Sequence, residues 1–498
     1  MARQKEDSRG MSQKELKVFL WPQSVAVIGA SDTPGTWGSF IMEGLLTWKY
    51  QGKIFPVNRN GNLVYGIPSY RDVREIPEGV ELAVVAVPQE VLEETLKGCA
   101  SRGVRGVTVI SAGFGEVDRE GKAREKYLRD LASSLGLRLL GPNVSGTFNL
   151  HFGFNASGAP ARQLVPSPLA AVCQGGYAFY DLLAAGGGRN MGVGWFVHTG
   201  NECDLEVTDF LELLGEDPQV KGLLMYLEAL RNPRRFMEVA KKLSREKPIL
   251  VFKAGETSGG ARAAQSHTGA LSGEERIYTG AFRQAGVLIC PAIELLLSLG
   301  HVLVERPLIK GNRVGIMTMG GSWGVSLTDE LERRGMLVPE LSPGLQRILR
   351  SLGMPERAST KNPVDIGAAG ISYHLTPSNV VQMAREMLLS GELDGLIFHG
   401  LGRPGLARQR EADRARGVFL KVEVSLMREV QALEKETGKP VLLGCCLSPW
   451  ESQAVCDLNL EKIRTYQRLD EMAWALALLM QRWRHLREES LSQFPRSG

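Results

Sequence analysis

The sequence has no long apolar run, few aromatic residues and almost no excess of charge of either sign. Aromatic residues make up 7% of the 498 residues, and the formal net charge is +4. A nucleic-acid-binding surface needs a basic stripe with interleaved rings, so these values argue against a nucleic-acid partner. The longest apolar run, 472–480, is too short to span a bilayer, and no apolar segment follows the charged N-terminal stretch. We therefore expect a cytoplasmic protein that is neither secreted nor inserted in a membrane.

The seven cysteines include no pair at the spacing of a zinc site or a redox-active disulfide. They are odd in number and scattered, which is typical of a protein from a reducing compartment. We expect all of them to be core residues, and we expect no metal site on this chain. The cysteines are Cys99, Cys173, Cys203, Cys290, Cys445, Cys446 and Cys456.

Short apolar segments rich in β-branched residues alternate along the chain with longer helical patterns. This alternation is typical of βαβ units, which build a parallel sheet. A chain of 498 residues is too long for one core and suggests about three domains. We predict an α/β protein in which a Rossmann-type domain precedes two flavodoxin-like, doubly wound domains. The predicted boundaries are a charged tail at 1–20 and domains at 21–155, 165–303 and 312–486.

The second and third predicted domains begin alike. AVCQGGYAF opens the second and IMTMGGSWG lies in the first strand and turn of the third, each with an apolar strand, two glycines, an aromatic residue and a helical pattern. Glycine is needed where a strand turns tightly into a helix, so the likeness indicates a pseudo-repeat with either close packing or a ligand site at each turn.

The turn after the first strand has the composition of a phosphate site. Free backbone N–H groups and the helix dipole at the start of a helix attract phosphate. The candidate residues of this turn are Gly29, Ser31, Asp32, Thr33, Pro34 and Gly35. The spacing is not G-x-G-x-x-G, and Asn58 and Arg59 follow the second strand where an NAD site has an acidic residue. A nicotinamide-dependent dehydrogenase is therefore disfavoured, and Arg59 either meets an extra phosphate or is a solvated surface residue.

Other residues of the first domain fall at the carboxyl ends of strands, where open α/β sheets bind their ligands. Each residue type is common in turns, but their shared position predicts one binding edge for a nucleotide-type cofactor. These residues are Val87, Pro88, Ile110, Ser111, Ala112, Gly113 and Asn143.

His267 is the candidate catalytic residue. It lies in a segment rich in Gly, Ser and Ala, KAGETSGGARAAQSHTGALSG, which follows a buried strand and leads into a helix. An imidazole nitrogen accepts a phosphoryl group, and helix N-termini nearby would stabilise the phosphate. The other ring nitrogen needs an acceptor, for which Glu228 at the end of a predicted strand is suitable. The alternative is a loop histidine that caps a helix, and the rival candidate His198 is interpreted as structural.

Taken in order, these segments resemble the α part of the ADP-forming acyl-CoA synthetases, relatives of succinyl-CoA synthetase. The resemblance covers nearly the whole chain through SVAVIGAS, FPVN, AVVAVP, VISAGF, GPN, YLE, SHTGA with FRQAGV, and NPVD. It implies that the first domain binds coenzyme A through 31–35, Asn58, Arg59 and 110–113. It also implies that His267 is transiently phosphorylated and steadied by Glu228, while acyl-CoA, ADP and phosphate are interconverted with a small carboxylic acid, coenzyme A and ATP.

Two segments depart from the family pattern. CQGG at 173–176 replaces Ser-Gln-Ser-Gly, and GPNV at 141–144 replaces GPNC. The first turn is thought to cradle phosphate, so the resemblance implies phosphate or substrate contacts at Gln174, Gly175, Gly176 and Asn201. Backbone N–H groups would then replace the lost hydroxyls. Tyr180 follows the turn and either contacts substrate or partner, or packs within its helix.

No segment of the sequence resembles the ATP-grasp module that binds ADP in this family. The resemblance therefore implies a separate ATP-grasp β subunit that carries ATP or ADP and Mg²⁺, in an αβ or α2β2 assembly. The alternative is a coenzyme A-binding regulatory or scaffold protein that has drifted from catalysis.

Overall fold

The computed structural model describes residues 13–176, 178–186, 188–260, 262–263, 275–367, 376–400 and 414–492. The chain divides into two compact units, Met1–Ala184 with Gly192–Leu296, and Ala185–Met191 with Leu297–Gly498. The first unit holds two large sheets and a two-stranded one, and the second unit holds the third large sheet. Single-turn 3₁₀ helices occur at Lys17–Phe19, Val73–Glu75, Gln89–Val91, Leu150–Phe152, Ala161–Gln163 and Ile293–Leu295.

The first sheet is parallel and has the order β2-β1-β5-β6-β7. Its strands are β1 Ser24–Ile28, β2 Lys53–Val57, β5 Leu82–Val85, β6 Gly106–Val109 and β7 Arg138–Leu140. A small antiparallel pair, β3 Leu63–Val64 and β4 Ile67–Pro68, follows β2. The helices of this region are Gln13–Leu16, Trp37–Thr47, Leu92–Ser101 and Arg119–Ser134. Every residue of β1 is buried, because helices cover both faces of a parallel sheet.

The second sheet has the order β14-β13-β12-β10-β11-β8-β9. Its parallel strands are β10 Leu169–Cys173, β11 Trp195–His198, β12 Gly222–Leu227, β13 Ile249–Lys253 and β14 Leu288–Ile289. The antiparallel strands β8 Gly146–Asn149 and β9 Phe154–Ser157 extend it, although β8 and the start of β9 fall within the span 21–155 predicted for the first domain. The helices are Ala178–Gly186, Val207–Glu216, Pro233–Leu243 and Glu275–Gln284.

The third sheet is parallel and has the order β16-β15-β17-β18-β19. Its strands are β15 Val314–Thr318, β16 Val364–Asp365, β17 Gly395–His399, β18 Val441–Gly444 and β19 Thr465–Tyr466. Its helices are Leu296–Glu305, Gly321–Glu332, Pro343–Ser351, Pro377–Leu389, Arg414–Thr437, Gln453–Leu460 and Leu469–Ser492.

The five parallel strands of each sheet share one topology. In each case the second strand lies on one side of the first, and the third, fourth and fifth follow on the other side. This is the doubly wound order 2-1-3-4-5, in which ligands bind where the order reverses. The predicted α/β class is confirmed, and the second and third sheets both begin with a strand, two glycines and a helix.

Five of the seven cysteines are buried, whereas Cys446 is exposed and Cys456 is half-buried. The expectation that all cysteines are core residues is therefore wrong for these two. Cys446 follows the end of β18 in a bend, where the chain has left the sheet. Within the described residues, no helix is both long and apolar enough to cross a membrane, and no cluster of His, Cys, Asp and Glu side chains is arranged to hold a metal ion.

Candidate functional site

A cavity of about 830 Å³ opens at the carboxyl ends of β1, β2 and β5. The strand order of the first sheet reverses between β1 and β5, so this is the expected position of a ligand. The lining includes a large part of the predicted cofactor set, namely Gly29, Ser31, Gly35, Asn58, Arg59, Val87 and Pro88. It also includes residues that the sequence did not indicate, among them Trp37, Arg71, Arg74 and Thr95.

Two glycines allow close backbone contacts around the turn that follows β1, one with the chain after β5 and one with the helix Trp37–Thr47. Gly29 has a φ of +90°, and a Cβ there would lie 2.4 Å from the carbonyl oxygen of Ala86. A Cβ on Gly38 would lie 2.0 Å from the carbonyl oxygen of Gly29. Thr36 caps the helix by accepting a hydrogen bond from the Ser39 N–H at 3.3 Å. The remaining N–H groups of the first helical turn are therefore available to an anion at this edge of the cavity.

Several predicted side chains shape the turn. Asn58 donates to the carbonyl oxygen of Ala30 at 2.8 Å, and the Ser31 hydroxyl accepts from the Thr33 N–H at 3.0 Å. Asp32, Thr33 and Pro34 form the exposed crest of the turn and do not line the cavity. The backbone of this turn, held by its own side chains, is thus the main candidate contact for a phosphate.

Three arginines, Arg59, Arg71 and Arg74, line the cavity. Arg74 is paired with Asp72 at 3.1 Å and with Glu94 at 3.2 Å. Arg59 and Arg71 form no ion pair with another described residue. Arg71 and Arg74 come from the segment after β4, which a backbone bridge between Val57 and Tyr70 aligns with β2. The charged run RDVRE was their signal in the sequence, but only the folded chain brings it to the cavity.

The predicted segment 110–113 and Asn143 do not line the cavity. Gln89 donates to the carbonyl oxygens of Ala112 and Gly113, both at 2.8 Å. Asn143 donates to the Asn201 side-chain oxygen at 3.2 Å, across the first two sheets. Asn143 therefore joins the two sheets of the first unit, whereas the Gln89 contacts stay within the region of the first sheet.

Glu228 stands at the corresponding point of the second sheet. It follows β12, next to Gln174 at the end of β10, where the strand order reverses. Only 5% of Glu228 is exposed. Gln174 accepts hydrogen bonds from the N–H groups of Glu228 and Ala229 at 2.6 and 3.1 Å and donates to the carbonyl oxygen of Ala229 at 2.7 Å. Gln174 therefore fixes the backbone that carries the Glu228 carboxylate.

Two further residues surround Glu228 that the sequence did not indicate. Burial, together with the Glu228 carboxylate, raises the pKa of Tyr226. Lys253 donates to the carbonyl oxygen of Glu228 at 2.8 Å, and burial lowers the pKa of its ammonium group. Tyr226 lies on β12, two residues before Glu228, and Lys253 ends the neighbouring strand β13, so strand register was the signal that would have found them.

The turn at Gly175 and Gly176 is closely covered. A Cβ on Gly175 would lie 2.7 Å from the Tyr226 ring, and a Cβ on Gly176 would lie 3.0 Å from the His198 ring. His198 Nδ1 accepts from the Ser145 N–H at 2.7 Å, and Nε2 lies 2.9 Å from the Gln174 carbonyl oxygen. Both ring nitrogens of His198 are engaged by the backbone, which agrees with the structural interpretation of this histidine.

Asn201 and Glu202 follow β11, which pairs with β10 on the side away from β12. The Asn201 amide donates to the carboxylates of Glu116 and Glu125, both at 2.5 Å. Glu202 is 2% exposed, and burial raises its pKa to about 7. Glu202 accepts from the Thr199 hydroxyl at 2.8 Å and from the Val207 N–H at 3.1 Å. Asn201 is therefore used within the protein, in contacts between the first two sheets.

His267 lies outside the described residues. The chain that leads to it leaves β13 beside Glu228, because the Ala254 N–H donates to the carbonyl oxygen of Leu227 at 2.8 Å. Tyr180 lies on the helix Ala178–Gly186 and is 47% exposed.

Two family models match the chain. Residues 23–148 match the CoA binding domain, and residues 166–303 match the succinyl-CoA ligase like flavodoxin domain. The chain is also 36% identical over 471 residues to the acetate–CoA ligase (ADP-forming) II subunit alpha of Pyrococcus furiosus, with 94% of this chain and 97% of that relative covered. The chain belongs to the ADP-forming acetate–CoA ligase family. The resemblance inferred from the sequence is thereby confirmed.

The chain is also similar to a longer relative and to a solved structure. The acetate–CoA ligase (ADP-forming) of Methanocaldococcus jannaschii is 35% identical over 353 residues, which is 71% of this chain but 49% of that relative. Among solved structures, acetyl-coenzyme A synthetase 1 of Ca. Korarchaeum cryptofilum in complex with phosphate and ADP matches with a TM-score of 0.81 and 28% identity. That match covers 97% of this chain and all of the other chain, so the ligase family fold extends over all three sheets.

Proposed function

We propose that this chain is the α subunit of an ADP-forming acid–CoA ligase that works through a phosphohistidine at His267. The observation that carries the proposal is the buried Glu228 carboxylate at the reversal point of the second sheet. The segment that contains His267 begins at the neighbouring strand end. A carboxylate so fixed is the acceptor that a phosphorylated imidazole needs on its other nitrogen.

The reaction has three balanced steps. Phosphate attacks the thioester carbonyl of acyl-CoA, the carbon–sulfur bond breaks, and coenzyme A leaves as an acyl phosphate forms. A ring nitrogen of His267 then attacks phosphorus and releases the carboxylate of the acid. ADP finally accepts the phosphoryl group from His267 and becomes ATP. Glu228 would accept the N–H of the opposite ring nitrogen and stabilise the charge on the ring during both transfers.

Coenzyme A is the ligand that we infer for the cavity of the first sheet. Residues 23–148 match a family of CoA binding domains, and the cavity joins a helix N-terminus with arginines that suit a polyphosphate. The backbone at 29–38 would hold the pyrophosphate, and Arg59 and Arg71 would hold a further phosphate. The substrate class is a small carboxylic acid and its acyl-CoA.

A separate ATP-grasp β subunit would carry ADP and Mg²⁺, in an αβ or α2β2 assembly. The Pyrococcus furiosus relatives are named as alpha subunits. The Methanocaldococcus jannaschii relative has about twice the matched length in one chain, which leaves room for a second module. Cytoplasmic localisation remains part of the same proposal.

The test is to incubate the chain with an ATP-grasp partner, Mg²⁺ and ATP labelled on the γ-phosphate, and to map acid-labile phosphate by mass spectrometry. We expect label on His267, no label in His267→Asn, and less label in Glu228→Gln. His151→Asn is the matched control and should label like the wild type, because His151 is exposed and contacts the Ser167 carbonyl outside the site. Coenzyme A binding without label on His267 would instead favour the regulatory alternative.

A further inference from the structure

Lys253 is a buried cation for which the proposed mechanism has no use. Its relative exposure is 4%, although lysine is almost never fully buried unless it is paired. It ends β13 and stands at the start of the segment that contains His267. A buried ammonium without compensating contacts is costly, so its partners indicate why it is there.

The contacts of Lys253 join three parts of the second sheet. Its Nζ donates to the carbonyl oxygen of Glu228, after β12, at 2.8 Å. It also donates to the carbonyl oxygen of Ala254 at 2.5 Å, after β13. The ammonium lies 4.7 Å from the ring centroid of Tyr278, on the helix that follows the His267 segment. Two carbonyls and one ring face match the three N–H groups of an ammonium.

We propose that Lys253 is a positioning residue for phosphoryl transfer, which holds the Glu228 backbone together with both ends of the segment that carries His267. This inference rests on the proposed function. Glu228 and the first residues of the segment are tied to one ammonium group, and Tyr278 ties the helix beyond the segment to the same group. Phosphoryl transfer is steeply sensitive to displacement of the groups that take part in it, so the proposed role of Glu228 requires that its backbone be held in place.

The chain offers a matched control lysine. Lys247 is half-buried, its pKa is lowered by burial like that of Lys253, and it also donates to two carbonyls, of Gly215 and Asp217 at 2.5 and 2.6 Å. Lys247 precedes β13 and Lys253 ends it, so Lys247 lies at the opposite end of the strand from Glu228. Lys247→Met therefore reproduces the structural cost of losing such a lysine, without a change at the strand end that carries Glu228.

The experiment compares Lys253→Met, Lys247→Met and the wild type with the ATP-grasp partner. We expect the rate of His267 phosphorylation in Lys253→Met to fall about 100-fold, with kcat reduced and the KM for coenzyme A unchanged. Lys247→Met should keep the wild-type rate. If Lys253→Met does not bind coenzyme A, Lys253→Arg takes its place, with a loss of about tenfold because its planar fork does not match the two carbonyls.

Hydrogen exchange gives a readout that does not depend on phosphorylation. Amides of 228–229 and 254–260 should exchange faster in Lys253→Met than in the wild type, and in Lys247→Met they should exchange as in the wild type. Unchanged phosphorylation and unchanged exchange in Lys253→Met would overturn the role of Lys253. A wild type that takes no phosphate would overturn the proposed function instead, and the exchange data would still decide whether Lys253 holds these segments.

Discussion

At the scale of single residues, Glu202 makes the stability of the protein depend on pH. Burial raises the pKa of this carboxyl group from 4.5 to about 7. The folded chain therefore binds more protons than the unfolded chain between those values, and the free energy of unfolding falls as the pH rises from about 4.5 to 7. The shift corresponds to roughly 3 kcal/mol.

Glu202→Gln removes this titration and keeps an acceptor for the Val207 N–H. Relative to the wild type, the variant should become more stable as the pH rises from 5 to 8. Urea unfolding at both pH values measures the difference. An equal pH dependence in both proteins would show that Glu202 does not titrate in this range.

Arg71 is the residue whose loss should weaken coenzyme A binding without disturbing an ion pair of the described residues. Arg71→Ala should lower the affinity about tenfold, since a charge-assisted bond to phosphate is worth more than a neutral one. Arg71→Lys should lose less. Arg234→Ala, which changes an arginine with a 93% exposed side chain on the second sheet's helix Pro233–Leu243, is the control. Calorimetry measures the affinity of each variant for coenzyme A. Equal affinities for Arg71→Ala and the control would contradict a phosphate contact of Arg71.

Residue types with strong local preferences were predictable at this scale, and residues placed by tertiary contacts were not. Gly29 and Gly35 stand out in the sequence because a strand-to-helix turn needs glycine, and both have positive φ. Arg71 lies in a charged run and Lys253 at a strand end, but neither feature places the residue at a site, since that depends on which strands become neighbours. Gln174 was predicted as a phosphate or substrate contact, and the structure shows that its side chain holds the Glu228 backbone.

At the scale of elements, the contact between the first turn and the helix Trp37–Thr47 sets the shape of the cavity. Gly38→Ala would place a methyl group against the Gly29 carbonyl, where a Cβ would lie at 2.0 Å. The helix must move away, so coenzyme A affinity should fall at least about tenfold. Gly344→Ala is the matched control, because its Cβ would meet nothing closer than 3.7 Å. Wild-type affinity in Gly38→Ala would show that the helix start does not bind the ligand.

The order of strands and helices could be predicted from alternating apolar and helical patterns, but the membership of two strands could not. β8 and β9 follow the last strand of the first sheet in sequence, yet β8 pairs antiparallel with β11 of the second sheet, and β9 pairs antiparallel with β8. Phe148 stacks on Phe196 across this pairing, with ring centroids 5.3 Å apart. Such cross-strand contacts decide the pairing. The alternation of apolar and polar residues within one strand does not identify the strand with which it pairs.

At the scale of the whole molecule, the cavity of the first sheet and the Glu228 site lie on different sheets of one compact unit. Changes at Glu228 should therefore leave coenzyme A affinity at the wild-type value. Calorimetry on Glu228→Gln tests this expectation, and a loss of affinity would show that the two sites are coupled.

We propose that the chain, together with an ATP-grasp partner, is an ADP-forming acid–CoA ligase. The most direct measurement is to supply acetate, coenzyme A, ATP and Mg²⁺ to the two subunits together and to each alone, and to analyse the nucleotide products. We expect acetyl-CoA with equal amounts of ADP and phosphate, only when both subunits are present, and no acetyl-CoA with His267→Asn. Formation of AMP and pyrophosphate, or undiminished turnover by His267→Asn, would contradict it.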